Sequence, residues 1–251
     1  MSYLTTAMHR DYFVDERFFS DSKSVAFLSK KGIRLHPISL DSRLYEGISG
    51  HSDIVGCPVF LTTVIEREVY DHHRFDLREF DITLGQSSLA RDYPYDVRYN
   101  VAIFGKTAIH SKYIDSVIKE LLTKEKVESI VVKQGYAKCS IVVVDEKSII
   151  TSDIGIYRAC KEKLDVCLVS VWKDIFLWGM EYGLLGGTSL TRGREIYFTG
   201  DISKHPDYRK MKNFANQKCI SLLSMSEGRL VDVGGFLPLY LRTNDDSRQG
   251  R

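Results

Sequence analysis

The stretch VVKQGYAKCSIVVVDEKSIITSD, from Val131 to Asp153, decides the fold of this chain. It predicts an apolar strand, a turn at Gly135, and two further strands joined by the charged turn at 145–147. Ser152 or Asp153 is then in place to cap a helix. The predicted structural unit is therefore a glycine turn followed by strand, strand, helix and strand.

Similar glycine-led openings recur along the chain, at Gly50 (GHSDI), Gly135 (GYAKCS), Gly186 (GGTSL) and Gly234 (GGFLPL). The intervals are 85 (135 − 50), 51 (186 − 135) and 48 (234 − 186) residues. Two of them match a blade-like repeat of about 50 residues. The last opening has no helix after it, and the N-terminal strand, helix and strand have no opening. Circular closure by the C-terminal strand would complete the N-terminal unit and remove exposed sheet edges.

Other segments give less regular patterns. Residues 107–126 predict one helix, because Ile109, Tyr113 and Val117 fall on a single face. Residues 66–98 are polar and poorly periodic, which favours an insertion or an eroded module. Residues 49–60 read as extended chain, and residues 229–233 read as a strand that returns after a turn.

Length and composition indicate an ordinary globular protein. The chain has 251 residues, of which 43% are hydrophobic and 27% charged, with a net charge of +2. Such a balance argues against a dedicated nucleic-acid binder, and no apolar run is long enough to cross a membrane. The first residues lack the pattern of a signal peptide, so we expect a cytoplasmic protein. We predict one domain over residues 1–241 and a disordered tail over residues 242–251.

The five cysteines form no CxxC pair and are odd in number. A zinc site or a disulfide framework is therefore not expected. We expect neither a metal nor a cofactor.

At this point the motifs GHSDI, QGYAKCSIVVVDEKSIITSD, LLGGTSL and RLVDVGGFLPL resemble an uncharacterised bacterial family of the pentein superfamily. The resemblance extends over about residues 11–241. It implies an α/β fold, the pentein α/β-propeller of pseudo-repeated ββαβ modules, closed by the N- and C-terminal segments. Arginine deiminases, dimethylarginine dimethylaminohydrolases and amidinotransferases share this fold. Five modules are implied, so the one without an evident opening is expected within residues 57–98.

The resemblance also implies a chemistry. Catalytic penteins carry a cysteine nucleophile just after the C-terminal glycines, a catalytic histidine, and carboxylates that bind a guanidinium. Here Phe236 and Leu237 follow Gly234 and Gly235, and no cysteine is present. Tyr136 stands where relatives often have the histidine. A guanidine-modifying hydrolase or amidinotransferase-like activity would thus need another nucleophile.

The candidate catalytic residues are His51, Asp53 and Cys139. In a strand, His51 and Asp53 would lie on one face, where the carboxylate orients the imidazole or binds a cation; the alternative is a structural pair. Cys139 follows Lys138, whose ammonium could favour a thiolate; the alternative is an inert buried thiol, because adjacent strand residues point to opposite faces. Cys57 is a second candidate nucleophile.

The candidate ligand-binding residues lie near the module openings. They are Glu46, Tyr136, Lys138 and Asp232. A guanidinium or an amine would need such carboxylates. Turn and capping roles are the alternative for Glu46 and Asp232.

Two functions follow from these observations. In the first, the central channel binds a small guanidino- or amine-containing compound. This first function leaves open that the protein also modifies the compound it binds. In the second, the propeller is a non-catalytic scaffold for a protein partner, with the polar, aromatic-rich stretch 70–99 as its interaction surface. Neither a nucleic acid nor a membrane is expected as a partner.

Overall fold

The computed structural model describes residues 9–242, so all of the tail predicted over residues 242–251 except its first residue lies outside the described residues. No helix in this range has the length and apolar character needed to cross a bilayer. The strands are β1 (Asp11–Asp15), β2 (Arg34–Ile38), β3 (Gly56–Val59), β4 (Thr62–Ile65), β5 (Ile82–Leu84), β6 (Ala102–Phe104), β7 (Thr107–Ser111), β8 (Glu128–Val132), β9 (Ile141–Val143), β10 (Ser148–Thr151), β11 (Asp165–Leu168), β12 (Ser189–Arg192), β13 (Glu195–Phe198), β14 (Ser221–Ser224) and β15 (Leu237–Leu239). The α-helices are α1 (Ser22–Lys30), α2 (Ser52–Val55), α3 (Arg67–Leu77), α4 (Ser116–Lys124), α5 (Ile154–Cys160) and α6 (Tyr208–Gln217).

The described strands form five three-stranded sheets of one design. In each sheet the central strand is antiparallel to one neighbour and parallel to the other. A helix precedes the parallel strand in every module, because a parallel pair needs a crossover connection. The strand orders are β15-β1-β2, β3-β4-β5, β6-β7-β8, β9-β10-β11 and β12-β13-β14. This arrangement confirms the predicted α/β fold of repeated ββαβ modules.

The two ends of the described chain meet in one sheet. Strand β15 lies antiparallel beside β1, with Leu237 opposite Phe13 and Leu239 opposite Asp11. The rings of His9 and Tyr240 make an edge contact at 4.7 Å. The C-terminal strand therefore completes the N-terminal module, as the predicted circular closure requires.

Strands β3, β4 and β5 and helix α3 form a module that the sequence pattern did not clearly reveal. It occupies most of residues 57–98, so the insertion reading of residues 66–98 is wrong and the module reading is confirmed. The module without a glycine opening was expected within residues 57–98, but it is the next one along the chain, formed by β6, β7, α4 and β8. The helix α3 is polar over most of its length and buries Val69, His73 and Leu77. Three buried side chains in eleven residues leave too weak an apolar period to detect.

The helix predicted over residues 107–126 is wrong in its first half. Residues Thr107–Ser111 form β7, the central strand of its sheet, and α4 begins only after Asp115. The carboxylate of Asp115 accepts the backbone N–H of Val117 and caps the helix. Ile109 does face the core, but from a strand buried between two neighbours.

Two further segments differ from expectation. Residues 49–60 are not extended throughout, because Ser52–Val55 form the helical turn α2. The His51 carbonyl accepts the N–H groups of Ile54 and Val55, which closes that turn. None of the described strands covers residues 229–233, where Val231 makes only an isolated bridge to Phe176.

The central strand of each sheet contributes buried side chains to the hydrophobic core. Every residue of β1 and of β10 is buried, because helices cover one side and neighbouring modules the other. Full burial of a Val, Leu or Ile side chain contributes about 1.5–3 kcal/mol. Apolar packing of these strands therefore fixes the positions of the inner strands, which line the ring axis.

Candidate functional site

A cavity of about 180 Å³ lies on the axis of the ring. The inner strand of every module contributes to its wall, through Pro58 of β3, Ile103 of β6, Val143 of β9, Leu190 of β12 and Leu237 of β15. The cavity is thus the central channel of the propeller. Its polar wall includes Ser52, Asp53 and Lys138.

Three of the predicted site residues converge in a buried cluster next to this channel, and this cluster is called the floor. One donor atom from each of His51, Asp53 and Cys139 lies within 4.8 Å of the others, and all three residues are buried. They come from the segments that lead into β3 and β9. Asp53 belongs both to this cluster and to the cavity wall.

The predicted strand geometry for His51 and Asp53 is wrong, although both side chains reach the floor. Asp53 lies in the turn α2, and its N–H donates to the carbonyl of Gly234 at 3.3 Å. The hydroxyl of Ser52 donates to the carbonyls of Gly234 and Gly235, at 3.1 and 3.2 Å. The turn is therefore anchored to the C-terminal glycines, and this contact aims Asp53 inward.

Cys139 is hydrogen-bonded to Asp53. Its thiol donates to Asp53 Oδ2, with 2.8 Å between sulfur and oxygen. Asn100 binds both residues: its Nδ2 donates to the Asp53 carbonyl at 3.2 Å and to Cys139 Sγ at 3.3 Å. Its Oδ1 accepts the N–H of Lys138 at 2.7 Å. Asn100 thus ties two modules together at the floor.

Asn100 was missed in the sequence. It stands just before β6, as Asp53 stands before β3 and Cys139 before β9. The signal was the repeat itself, since the polar residues two or three positions ahead of β3, β6 and β9 all reach the floor. The module of β6, β7 and β8 has no glycine opening, so its register could not be predicted from the glycines.

Asp232 lies beside the cluster. Its carboxylate accepts the N–H groups of Leu184 at 2.7 Å and Gly234 at 3.0 Å, and Oδ1 lies 3.9 Å from His51 Nε2. A Cβ on Gly187 would come within 1.8 Å of Asp232 Oδ1. The glycine at this opening therefore makes room for the carboxylate.

Burial dominates the electrostatics of the floor. It raises the pKa of Asp53 to about 6, although the nearby Lys138 charge acts in the opposite direction. Burial also raises the pKa of Asp232 and lowers the pKa of His51. It raises the pKa of Cys139 as well, and the nearby Asp53 charge raises that pKa further. Burial therefore favours the uncharged forms of the thiol and the imidazole over a thiolate–imidazolium pair.

Several polar atoms at the floor have no hydrogen-bond partner among residues 9–242. These are both ring nitrogens of His51 and Oδ1 of Asp53. Buried polar groups are rarely left unpaired, because each costs about 1–3 kcal/mol. Their convergence on one point is typical of a site built to receive a ligand.

The other predicted residues lie in different surroundings. Lys138 lines the cavity, with its Nζ above Gly235. The Tyr136 hydroxyl bonds Asp96 at 2.5 Å and Tyr45 at 2.9 Å, and Glu46 is exposed; neither Tyr136 nor Glu46 lines the cavity. Cys57 is buried inside β3, and burial raises its pKa far above the ordinary value.

Solved structures that share this architecture include dimethylarginine dimethylaminohydrolases and an agmatine deiminase. A dimethylarginine dimethylaminohydrolase adduct with S-methyl-L-thiocitrulline matches at a TM-score of 0.56 and 8% identity, over 92% of this chain and 100% of that one. A C. jejuni agmatine deiminase variant with substrate bound matches at 0.58 and 5% identity, over 96% of each chain. A Pseudomonas aeruginosa dimethylarginine dimethylaminohydrolase variant in complex with citrulline matches at a TM-score of 0.54 and 8% identity, over 88% of this chain and 93% of that one.

These likenesses define the class of protein: the chain has the pentein fold. The chain belongs to the DUF6873 family of unknown function, whose sequence model matches residues 13–237. Comparison with curated proteins gives no match.

Proposed function

We propose that the channel binds a small compound with a guanidinium or amine group, and that Asp53 holds this cation. The observation that carries the proposal is the placement of Asp53. Its carboxylate is buried, forms part of the cavity wall, and has one oxygen without a partner among the described residues. A buried carboxylate is costly unless a cation or hydrogen-bond donor meets it.

The surroundings of Asp53 support this assignment. Asp232 adds a second buried carboxylate close to His51, so the floor favours positive charge. Structures of the same fold include an agmatine deiminase with its substrate and a dimethylarginine dimethylaminohydrolase. Carboxylates bind the planar guanidinium through paired, charge-assisted hydrogen bonds.

Lys138 narrows the class of compound. Its ammonium lies in the same cavity, on the wall next to Asp53. A ligand with a cation at one end and a carboxylate at the other satisfies both residues. Arginine-like compounds should therefore bind more tightly than agmatine, which lacks the carboxylate.

Cys139 lies where a bound guanidinium would approach its sulfur. The thiol already donates to Asp53 at 2.8 Å, so a cation on that carboxylate lies next to Sγ. This places a thiol at the floor although the C-terminal cysteine of catalytic relatives is absent. Because burial favours the protonated form of this thiol, binding is better supported than catalysis.

A thermal-shift screen tests binding. The panel consists of arginine, methylarginines, agmatine, citrulline and polyamines at about 1 mM. A compound with a dissociation constant near 10 μM should stabilise the protein by about 2.7 kcal/mol. For a chain of this size, that corresponds to roughly 5–10 °C. Citrulline replaces the cationic group with a neutral one and should give little shift.

Matched variants test whether the thermal shift depends on residues at the floor. Asp53→Asn should abolish the shift while keeping the side-chain shape, and Lys138→Met should reduce arginine to the level of agmatine. Asp71→Asn, on the exposed side of α3, is the control and should behave as the unmodified protein does. A flat profile across the panel, or equal shifts in Asp53→Asn, would contradict the proposal and favour the scaffold alternative.

A further inference from the structure

The floor of the channel combines three kinds of metal-binding side chain. His51, Asp53 and Cys139 offer an imidazole nitrogen, a carboxylate oxygen and a sulfur, all within 4.8 Å of one another. The three residues are 0–5% exposed. We propose that they form a binding site for a divalent transition metal of the zinc type.

A second observation points to the same ligand. The His51 side chain is 1% exposed, and neither ring nitrogen has a hydrogen-bond partner among the described residues. Asp53 Oδ1 is also unpartnered. A metal ion would use the lone pairs of both residues at once, whereas a single organic cation bound to Asp53 leaves the imidazole unsatisfied.

The distances suit a compact metal site. Zinc binds these donors at about 2.0–2.3 Å, so neighbouring ligand atoms in a tetrahedral site lie about 3.5 Å apart. The separation between Cys139 Sγ and Asp53 Oδ2 is 2.8 Å, and the largest separation in the set is below 4.8 Å. The observed separations therefore bracket the tetrahedral spacing. Binding would replace the thiol proton, which passes to solvent, with the metal.

Polar residues outside the cluster lie against all three of its members. Asn100 bonds both Cys139 Sγ and the Asp53 carbonyl, and Asp232 lies 3.9 Å from His51 Nε2. Carboxylates that back a metal-bound imidazole, and amides that orient the other ligands, are usual around such sites. Three protein ligands leave a fourth position, which is typical of catalytic rather than structural zinc sites. The absence of a CxxC motif hid this site, because its ligands come from different modules.

The metal site goes beyond the proposed function and does not depend on it. Both would use Asp53, so a metal and an organic cation should exclude each other. A metal titration needs no organic ligand, and the thermal-shift panel can be run in the presence of a chelator. Failure of one proposal can therefore be distinguished from failure of the other.

A Co²⁺ titration of the chelator-treated 251-residue chain tests the metal site. All variants carry Cys219→Ser, which removes the exposed thiol, and this single variant is the reference called the background. We expect one equivalent of Co²⁺ to bind, with a thiolate-to-cobalt absorption in the near ultraviolet. Cys139→Ser should lose that absorption and bind at least ~100-fold more weakly, beyond the usual effect of removing an outer residue. Cys57→Ser, another buried cysteine outside the cluster, should bind as the background does.

Asp53→Asn gives an independent measurement, because it keeps the shape of the side chain. It should weaken Co²⁺ binding while the sulfur-to-cobalt absorption persists at saturating metal, even if Cys139→Ser fails to fold. No stoichiometric Co²⁺ binding would overturn the proposal. So would an unchanged thiolate absorption in folded Cys139→Ser, or an unchanged affinity in Asp53→Asn.

Discussion

A chain that ends at Val233 is expected to lose its cooperative unfolding transition. The deletion removes β15, the inner strand of the first sheet, and exposes one edge of β1. It also removes Phe236, Leu237 and Leu239, which are at most 6% exposed. Burial of three such side chains contributes roughly 5–9 kcal/mol, comparable to the whole stability of a typical domain. Circular dichroism melting and limited proteolysis measure the loss.

A circular permutant separates the effect of closure from that of new chain ends. It begins at Asp174, joins Arg242 to His9 through a short Gly/Ser linker, and ends at Lys173. His9 and Tyr240 are in contact, and Lys173 and Asp174 are exposed, so neither change should disturb a sheet. The permutant should melt cooperatively, near the temperature of the unmodified protein. Cooperative melting of the truncated chain at that same temperature would show that closure by β15 is not required.

Gly234→Ala is expected to destabilise the protein by about 4 kcal/mol or more, which is exceptional for one substitution. Gly234 has φ +68°, where an alanine costs about 1–2 kcal/mol. The new Cβ would also lie 2.4 Å from His51 Cβ and 2.8 Å from His51 Cα. Backbone and side chain at the channel floor would both have to move, so the melting temperature should fall by roughly 10 °C.

Gly32→Ala is the matched control. Gly32 has a similar φ of +71°, but nothing lies within 4 Å of the added Cβ. This variant isolates the backbone penalty and should lose only about 1–2 kcal/mol. Equal losses in the two variants would mean that His51 does not press against Gly234, and the described floor would then be incorrect.

The repeat and its closure were predictable because they depend on local signals. Glycine openings mark four inner strands, after Gly50, Gly135, Gly186 and Gly234, and the missing helix after Gly234 implies closure. The module with α3 was harder to detect, because its helix turns a polar face to solvent over most of its surface. The sequence pattern predicts a helix where β7 forms, because Ile109, Tyr113 and Val117 follow helical spacing. The signal against this prediction is Asp115, which caps α4 and marks where the helix begins.

The site was predictable only in part. The pair His51 and Asp53 was selected from its motif, and Cys139 from its module opening. Their convergence depends on ring closure across 86 residues, from Asp53 to Cys139, which no local pattern encodes. Tyr136 and Glu46 also lie near openings, yet the side chains that reach the floor are those just ahead of an inner strand, such as Asn100. Register relative to that strand, rather than distance from a glycine, decides which residues reach the floor.

The most direct test of the channel as a binding site is a crystal structure with the compound that gives the largest thermal shift. We expect its cationic group within hydrogen-bond distance of Asp53 Oδ1, beside His51 and Cys139, and any carboxylate near Lys138. The compound bound only outside the ring, with no contact to Asp53, would contradict the account.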